Sequence, residues 1–84
     1  IEQACDLAND TYYGLAAYIF TRDIGRALQL KNKLEFGMVA VNRVSITGPE
    51  IPFGGVKMSG LGREGADQGM LEFMETQYCC LQLT

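Results

Sequence analysis

The side chains that could act as nucleophiles in this 84-residue chain lack an obvious base, because the sequence contains no histidine. A serine, threonine or cysteine nucleophile is usually activated by an adjacent base, most often an imidazole. The missing imidazole also removes the commonest zinc ligand. We therefore expect no catalytic residue and no metal site in this chain. The candidates that this argument sets aside are Cys5, Cys79, Cys80, Ser45, Ser59 and Thr47.

A run of glycines spells the pattern G-x-G-x-x-G at Gly60, Gly62 and Gly65. A dinucleotide site with this pattern needs a buried strand before it, a helix after it and an acidic residue about 20 positions further on. No strand pattern precedes the glycines, and the acidic residue would lie beyond the last residue. Lys57 also lacks the glycine spacing of a phosphate-binding loop. We therefore assign these glycines to tight turns, and expect no cofactor to be bound by this chain alone.

The remaining polar and aromatic candidates keep two interpretations each. Arg43 and Arg63 flank the long loop, and each could bind a carboxylate or form a surface ion pair. Phe53 lies between a proline and a glycine, so it either fills a core or lines a pocket. Several acidic side chains could pair as acid and base, but their spacing does not indicate it, and solvated faces are the favoured interpretation. They are Glu50, Glu64, Glu72 and Glu75.

Composition and charge narrow the class of protein. The chain is 48% hydrophobic and 20% charged, with a net charge of −3, which is typical of one small globular domain. An acidic chain without a basic stripe is a poor partner for nucleic acid, and no apolar run approaches a membrane span of roughly 20 residues. There is no signal peptide pattern. The odd cysteine count and the absence of a CxxC pair predict free thiols in a reducing, cytoplasmic compartment.

The elements that position these residues follow an α/β pattern. Leu15–Phe20 and Met38–Val41 are short apolar runs typical of buried strands, and Arg22–Glu35 between them has helical periodicity. Thr21 is the predicted N-cap of this helix, and Gly37 the predicted left-handed residue after its end. Strand, helix and strand in this order predict a βαβ unit with parallel strands and a right-handed crossover.

Outside this unit we predict a helix, a long loop, a second helix and a final strand. Their ranges are Ile1–Asn9, Asn42–Gly65, Ala66–Glu75 and Tyr78–Leu83. No capping residue precedes Ile1, so the chain is expected to begin inside a helix and to be a piece of a longer protein. The predicted fold class is α/β: a βαβ unit plus a C-terminal helix and strand.

Three stretches of the sequence resemble the C-terminal end of NAD(P)-dependent aldehyde dehydrogenases. They are YGLAAYIFTRD at 13–23, GMVAVN at 37–42 and PFGGVKMSGLGREG at 52–65. The GLGREG ending and the tail LEFMETQYCCLQL look most like the succinate-semialdehyde dehydrogenase branch. The resemblance implies that residues 1–76 form the C-terminal part of a catalytic domain and residues 77–84 an oligomerisation strand.

The same resemblance implies a parent reaction, the NAD(P)-dependent oxidation of an aldehyde, possibly succinic semialdehyde in the branch named, to its acid. The family's nucleophilic cysteine motif, general-base glutamate motif and cofactor domain are missing here, so the chain is expected to be inactive alone. Phe53 and Thr47 match positions that line the family's substrate tunnel, and Ser45, in the same loop, is the third residue expected in this pocket. At 44–45, Val44 and Ser45 replace a Gly and a Leu that are usual in the branch.

The resemblance also implies self-association through the last strand, into a homodimer or a higher even-numbered oligomer. The residues that would contribute are Tyr78, Cys79, Cys80, Leu81, Gln82 and Leu83. Two alternatives stay open beside a piece of a dehydrogenase. One is a stand-alone module that associates with itself, and the other is a chain that docks onto a full-length dehydrogenase. Both would keep the fold without the chemistry.

Overall fold

The computed structural model describes residues 1–83, which form three helices and four short strands. In chain order they are α1 (Glu2–Asn9), β1 (Tyr13–Gly14), β2 (Ala16–Ile19), α2 (Ile24–Lys33), β3 (Met38–Val41), β4 (Val56–Lys57) and α3 (Ala66–Leu71).

Strands β2 and β3 pair in parallel, and helix α2 connects them. Ala16 lies opposite Met38, and Ile19 lies opposite Val41. The parallel pairing predicted from the two apolar runs is therefore present. Strand β1 pairs with β4 in antiparallel fashion, a pair that the sequence reading did not foresee because each strand has only two residues.

The ends of α2 differ from the prediction. Asp23 is the N-cap, and its carboxylate accepts a hydrogen bond from the Arg26 amide at 3.1 Å. Thr21, the predicted cap, uses its hydroxyl to accept from the Asp23 amide instead. Asp23 is the N-cap because it lies three residues before the Arg26 amide, which is the spacing that a capping side chain needs.

Gly37 is a glycine for another reason than the one predicted. Leu34 ends the helix in an extended conformation, and Gly37 is not in the left-handed region. The Gly37 amide donates to the Gly14 carbonyl at 2.9 Å. A Cβ atom at Gly37 would stand 2.6 Å from the Gly55 Cα, so close backbone approach requires the glycine.

The C-terminal elements are shorter than predicted. Helix α3 ends at Leu71 and does not reach Glu75, and Tyr78–Leu83 form no strand among the described residues. The tail from Met74 to Leu83 is exposed along its length. A β-strand is stabilised by its ladder with a neighbouring strand, so apolar composition alone does not make one. Thr84, the last residue of the oligomerisation strand expected over 77–84, lies outside the described residues.

The chain buries little of its apolar surface. Among residues 1–83, five hydrophobic residues form the buried core, namely Cys5, Ile19, Ala27, Met38 and Ala40. The accessible surface is 7002 Å², whereas a self-contained folded protein of 9.2 kDa exposes about 4,900 Å². The radius of gyration is 17.5 Å, against about 12 Å for a compact domain of this length. Large apolar faces of these elements are therefore left uncovered by the chain itself.

Candidate functional site

The long loop between β3 and α3 carries the three residues predicted to line a substrate pocket. Phe53 is half-buried, while Ser45 and Thr47 are exposed. Ser45 lines a groove of about 390 Å³ beside β3, and Phe53 lines a separate open groove of about 660 Å³. Thr47 lines neither of these two grooves. The described chain thus keeps the three side chains on one loop without gathering them into one cavity, and their role stays a prediction.

Phe53 is held by its backbone. Its amide donates to the Glu64 carbonyl at 2.7 Å, and the Glu64 amide donates back to the Phe53 carbonyl at 2.7 Å. This isolated antiparallel bridge ties the two ends of the glycine-rich segment together. The Phe53 ring is therefore positioned by the loop's own hydrogen bonds, and it forms part of a groove wall.

The glycine-rich segment between Phe53 and α3 is built from turns. Gly60, Gly62 and Gly65 have φ values of 110°, 91° and 71°, a region that other residues rarely adopt. The Arg63 guanidinium closes the segment, because its Nη1 donates to the carbonyls of Gly55 and Gly62 at 2.8 Å each. The element before it, β4, is a two-residue antiparallel strand. The strand context of a dinucleotide fingerprint is therefore not found there.

Lys57 fastens this segment to the rest of the fold, a role that the sequence reading missed. Its ammonium donates to the Glu35 carboxylate at 2.7 Å, to the Asn9 carbonyl at 3.1 Å and to the Thr11 carbonyl at 3.4 Å. Asn9 also joins α1 to the end of α2, because its side chain contacts the Lys33 carbonyl and the Glu35 amide at 2.8 Å each. We call Lys57, Glu35 and Asn9 the lysine latch.

Ser59 supplies a second fastening beside the latch. Its hydroxyl oxygen accepts a hydrogen bond from the amide of the buried Gly14 at 2.8 Å. In the sequence, Lys57 lies among glycines without the spacing of a phosphate-binding loop, and Ser59 is a hydroxyl without a histidine to activate it, so neither position carries a local signal for this contact. The structure assigns both side chains to holding the loop against α1 and β1.

Two surveys of the described residues bear on other kinds of site. Among residues 1–83, no helix has the length and apolar character needed to cross a membrane. The same residues contain no group of three or more His, Cys, Asp or Glu side chains placed to hold a metal ion.

Comparison with known proteins places these features in one family. The model of the aldehyde dehydrogenase family matches residues 1–79. The aspartate-semialdehyde dehydrogenase (non-phosphorylating) of Halomonas elongata is 58% identical over 80 residues, which are 95% of this chain and 16% of that protein. The succinate semialdehyde dehydrogenase of Acinetobacter baylyi is 51% identical over 77 residues, covering 92% of this chain and 16% of that protein.

Solved structures agree with the sequence comparisons. An aldehyde dehydrogenase from Brucella melitensis biovar abortus superimposes with a TM-score of 0.90 at 49% identity, over 93% of this chain and 16% of that one. A betaine aldehyde dehydrogenase from Staphylococcus aureus, in complex with NAD⁺, gives a TM-score of 0.83 at 43% identity, over 86% of this chain and 14% of that one. The chain thus spans about a sixth of the length of the curated relatives it matches.

Proposed function

The chain belongs to the aldehyde dehydrogenase family, and from this premise we propose that it is the C-terminal segment of an NAD(P)-dependent dehydrogenase of semialdehydes. In this role it supplies part of the catalytic-domain scaffold and one wall of the substrate pocket. The residues that perform the chemistry lie in a larger body that these 84 residues complete. Alone, the chain has no dehydrogenase activity.

The observation that carries this proposal is the uncovered α/β unit. Among the described residues the sheet of β2 and β3 has two strands, and the three helices leave large apolar side chains exposed. A two-stranded sheet is not stable by itself in water and needs further strands or helices against it. The chain nevertheless superimposes over 93% of its length on the Brucella aldehyde dehydrogenase, with a TM-score of 0.90, and covers 16% of that larger chain. A larger protein of this family is the body that fits such a surface.

The semialdehyde substrate class rests on the relatives and on two hydroxyls. Two relatives reported above are named for semialdehydes, which carry a carboxylate distal to the aldehyde. Ser45 and Thr47 are exposed hydroxyls on the loop that carries Phe53. A hydroxyl can donate to a carboxylate, and an aromatic ring can pack against the carbon chain between the two ends. NAD⁺ in a related structure supports a nicotinamide cofactor, and three free thiols fit a cytoplasmic setting.

Reconstitution tests this proposal. The Brucella relative is shortened by the segment that matches this chain and is produced together with the 84 residues. The expected result is NAD(P)H formation from succinic or aspartic semialdehyde only when both pieces are present. The matched control adds a chain with the substitution Gly14→Asp. The new side chain would clash with Glu35 and Val56 and so disrupt the pairing of β1 with β4.

The outcomes separate the open alternatives. Activity that requires both pieces supports the proposal. A well-folded pair without activity contradicts the assigned role. If the 84 residues bind an intact dehydrogenase as tightly as the shortened one, the chain is a docking partner and the proposal is wrong.

A further inference from the structure

Asn42 stands where the chain leaves β3 and enters the loop that carries Ser45, Thr47 and Phe53. Its backbone has φ of 59°, which is the left-handed region. Asparagine tolerates this region better than most other residues, because its short side chain can hydrogen-bond locally. The chain therefore turns out of the sheet at one defined residue.

The Asn42 side chain continues the β2–β3 ladder at the point where the backbone departs. The Asn42 amide still donates to the Ile19 carbonyl at 2.7 Å, which is the last backbone bond of the ladder. Beyond it, the Thr21 amide donates to Asn42 Oδ1 at 2.9 Å, and Asn42 Nδ2 donates to the Thr21 carbonyl at 2.9 Å. A carboxamide has the same donor and acceptor as a peptide group, so it can replace one rung of the ladder.

This pair of bonds lies at the carboxyl end of the parallel strands, the edge at which open α/β sheets bind ligands. It joins Thr21, where the connection to α2 starts, to the start of the loop that carries Ser45, Thr47 and Phe53, which we call the pocket loop. We propose that Asn42 is a positioning residue, whose carboxamide and left-handed backbone together fix the direction in which the pocket loop leaves the sheet. The effect on specificity rests on the proposed function, since it assumes that Ser45 and Thr47 meet the substrate.

Three substitutions separate the two contributions of Asn42. Asn42→Gly keeps the left-handed backbone and removes both side-chain bonds. Asn42→Asp keeps the acceptor for the Thr21 amide and loses the donor to the Thr21 carbonyl. Asn42→Ala removes the bonds and also strains the backbone. Asn32→Ala, at an exposed position of α2, is the control for losing a carboxamide.

Amide hydrogen exchange of the full 84-residue chain is the first readout. In Asn42→Gly the Thr21 amide should exchange about two- to tenfold faster, the factor that one hydrogen bond supplies. Asn42→Asp should protect this amide nearly as well as the native residue, and Asn32→Ala should leave it unchanged. The resonances of residues 43–47 should also shift in Asn42→Gly. Unchanged Thr21 protection and unchanged loop resonances would overturn the proposal.

Activity of the reconstituted enzyme is the second readout, with succinic semialdehyde compared with butanal. Asn42→Gly should lower kcat/KM for the semialdehyde about tenfold more than for butanal, because only the semialdehyde needs the carboxylate contacts of the loop. An equal loss for both substrates would show a merely stabilising role and overturn the specificity claim. If the native pair is inactive, the proposed function fails, while the exchange measurements still decide whether Asn42 positions the loop.

Discussion

Phe53 shows how a single aromatic residue reports on the use of the pocket loop. The ring lies in a groove wall and is half-buried, whereas a core phenylalanine would be enclosed. Phe53→Ala should therefore destabilise the chain by less than the roughly 3–5 kcal/mol of a core phenylalanine truncation. Urea denaturation measures this, with Phe73→Ala as the control, because Phe73 is 93% exposed. A destabilisation of roughly 3–5 kcal/mol for Phe53→Ala, that of a core phenylalanine, would mean that the ring packs the core and does not line a substrate pocket.

Gly14 is a position where the neighbouring segments leave no room for a side chain. A Cβ atom there would lie 2.7 Å from the Glu35 carbonyl oxygen and 2.8 Å from Val56 Cγ2. Gly14→Ala should cost about 1–3 kcal/mol, as overpacking does. Gly25→Ala is the matched control, because its Cβ would meet only the Asp23 carboxylate at 3.3 Å and alanine favours the helix. Equal thermal midpoints for the two variants would contradict this contact.

At the residue scale, only the family resemblance assigns Ser45 and Thr47 to a substrate pocket, whereas the position of Phe53 between a proline and a glycine left both a core and a pocket open. Spacing in the chain says nothing of which groove a loop side chain will line, because that depends on backbone turns made by glycines further along. Lys57 and Asn42 illustrate the same limit. Their partners lie 21 or more positions away, and no local pattern encodes such contacts.

The lysine latch joins β4 to the end of α1 and to the segment after α2. Lys57 is 28% exposed at its side chain and Glu35 is 56% exposed, so the ion pair alone should contribute about 1 kcal/mol or less. The two backbone carbonyls raise the expected loss for Lys57→Met to about 1–2 kcal/mol. The control is Lys31→Met on the exposed surface of α2, which should change the free energy of unfolding little. Raising the salt concentration should lower the free energy of unfolding more for the native chain than for the Lys57→Met variant, because only the native chain has this ion pair. An identical salt response in both would contradict the latch.

Elements with strong local signals were predictable, and elements that need a partner were not. The apolar runs of β2 and β3 and the helical periodicity of α2 are local sequence patterns. The sequence therefore predicted the ends of these three elements to within two residues. The β1–β4 pair joins positions more than 40 residues apart and has two residues per strand. The tail at Tyr78–Leu83 has β-prone residues, yet pairing and not composition makes a strand. Among residues 1–83 this tail forms no strand.

At the scale of the whole molecule, the exposed apolar surface should drive association. The tail from Tyr78 to Leu83 is apolar, exposed and free of lysine and proline, which are the residues that usually protect an edge. We expect a homodimer or a higher even-numbered oligomer, since exchange of one element between two copies needs no new surface. Light scattering at micromolar concentration measures the mass.

Variants of the tail identify the interface. Leu81→Lys, or truncation after Gln77, should give monomer or aggregate. Met58→Lys should leave the oligomer unchanged, because Met58 is equally exposed (72%) on another part of the chain. A monomeric native chain, or an oligomer that survives the truncation, would show that the tail is not the interface.

We propose that these 84 residues hold a scaffold and a pocket wall but not the chemistry of the dehydrogenase. The most direct test is the rate of NAD⁺ or NADP⁺ reduction by the purified chain alone, with succinic semialdehyde or aspartic semialdehyde as substrate. We expect no turnover above the protein-free rate, at any stage of purification. Turnover that rises with purity and follows the chain through each step would contradict it.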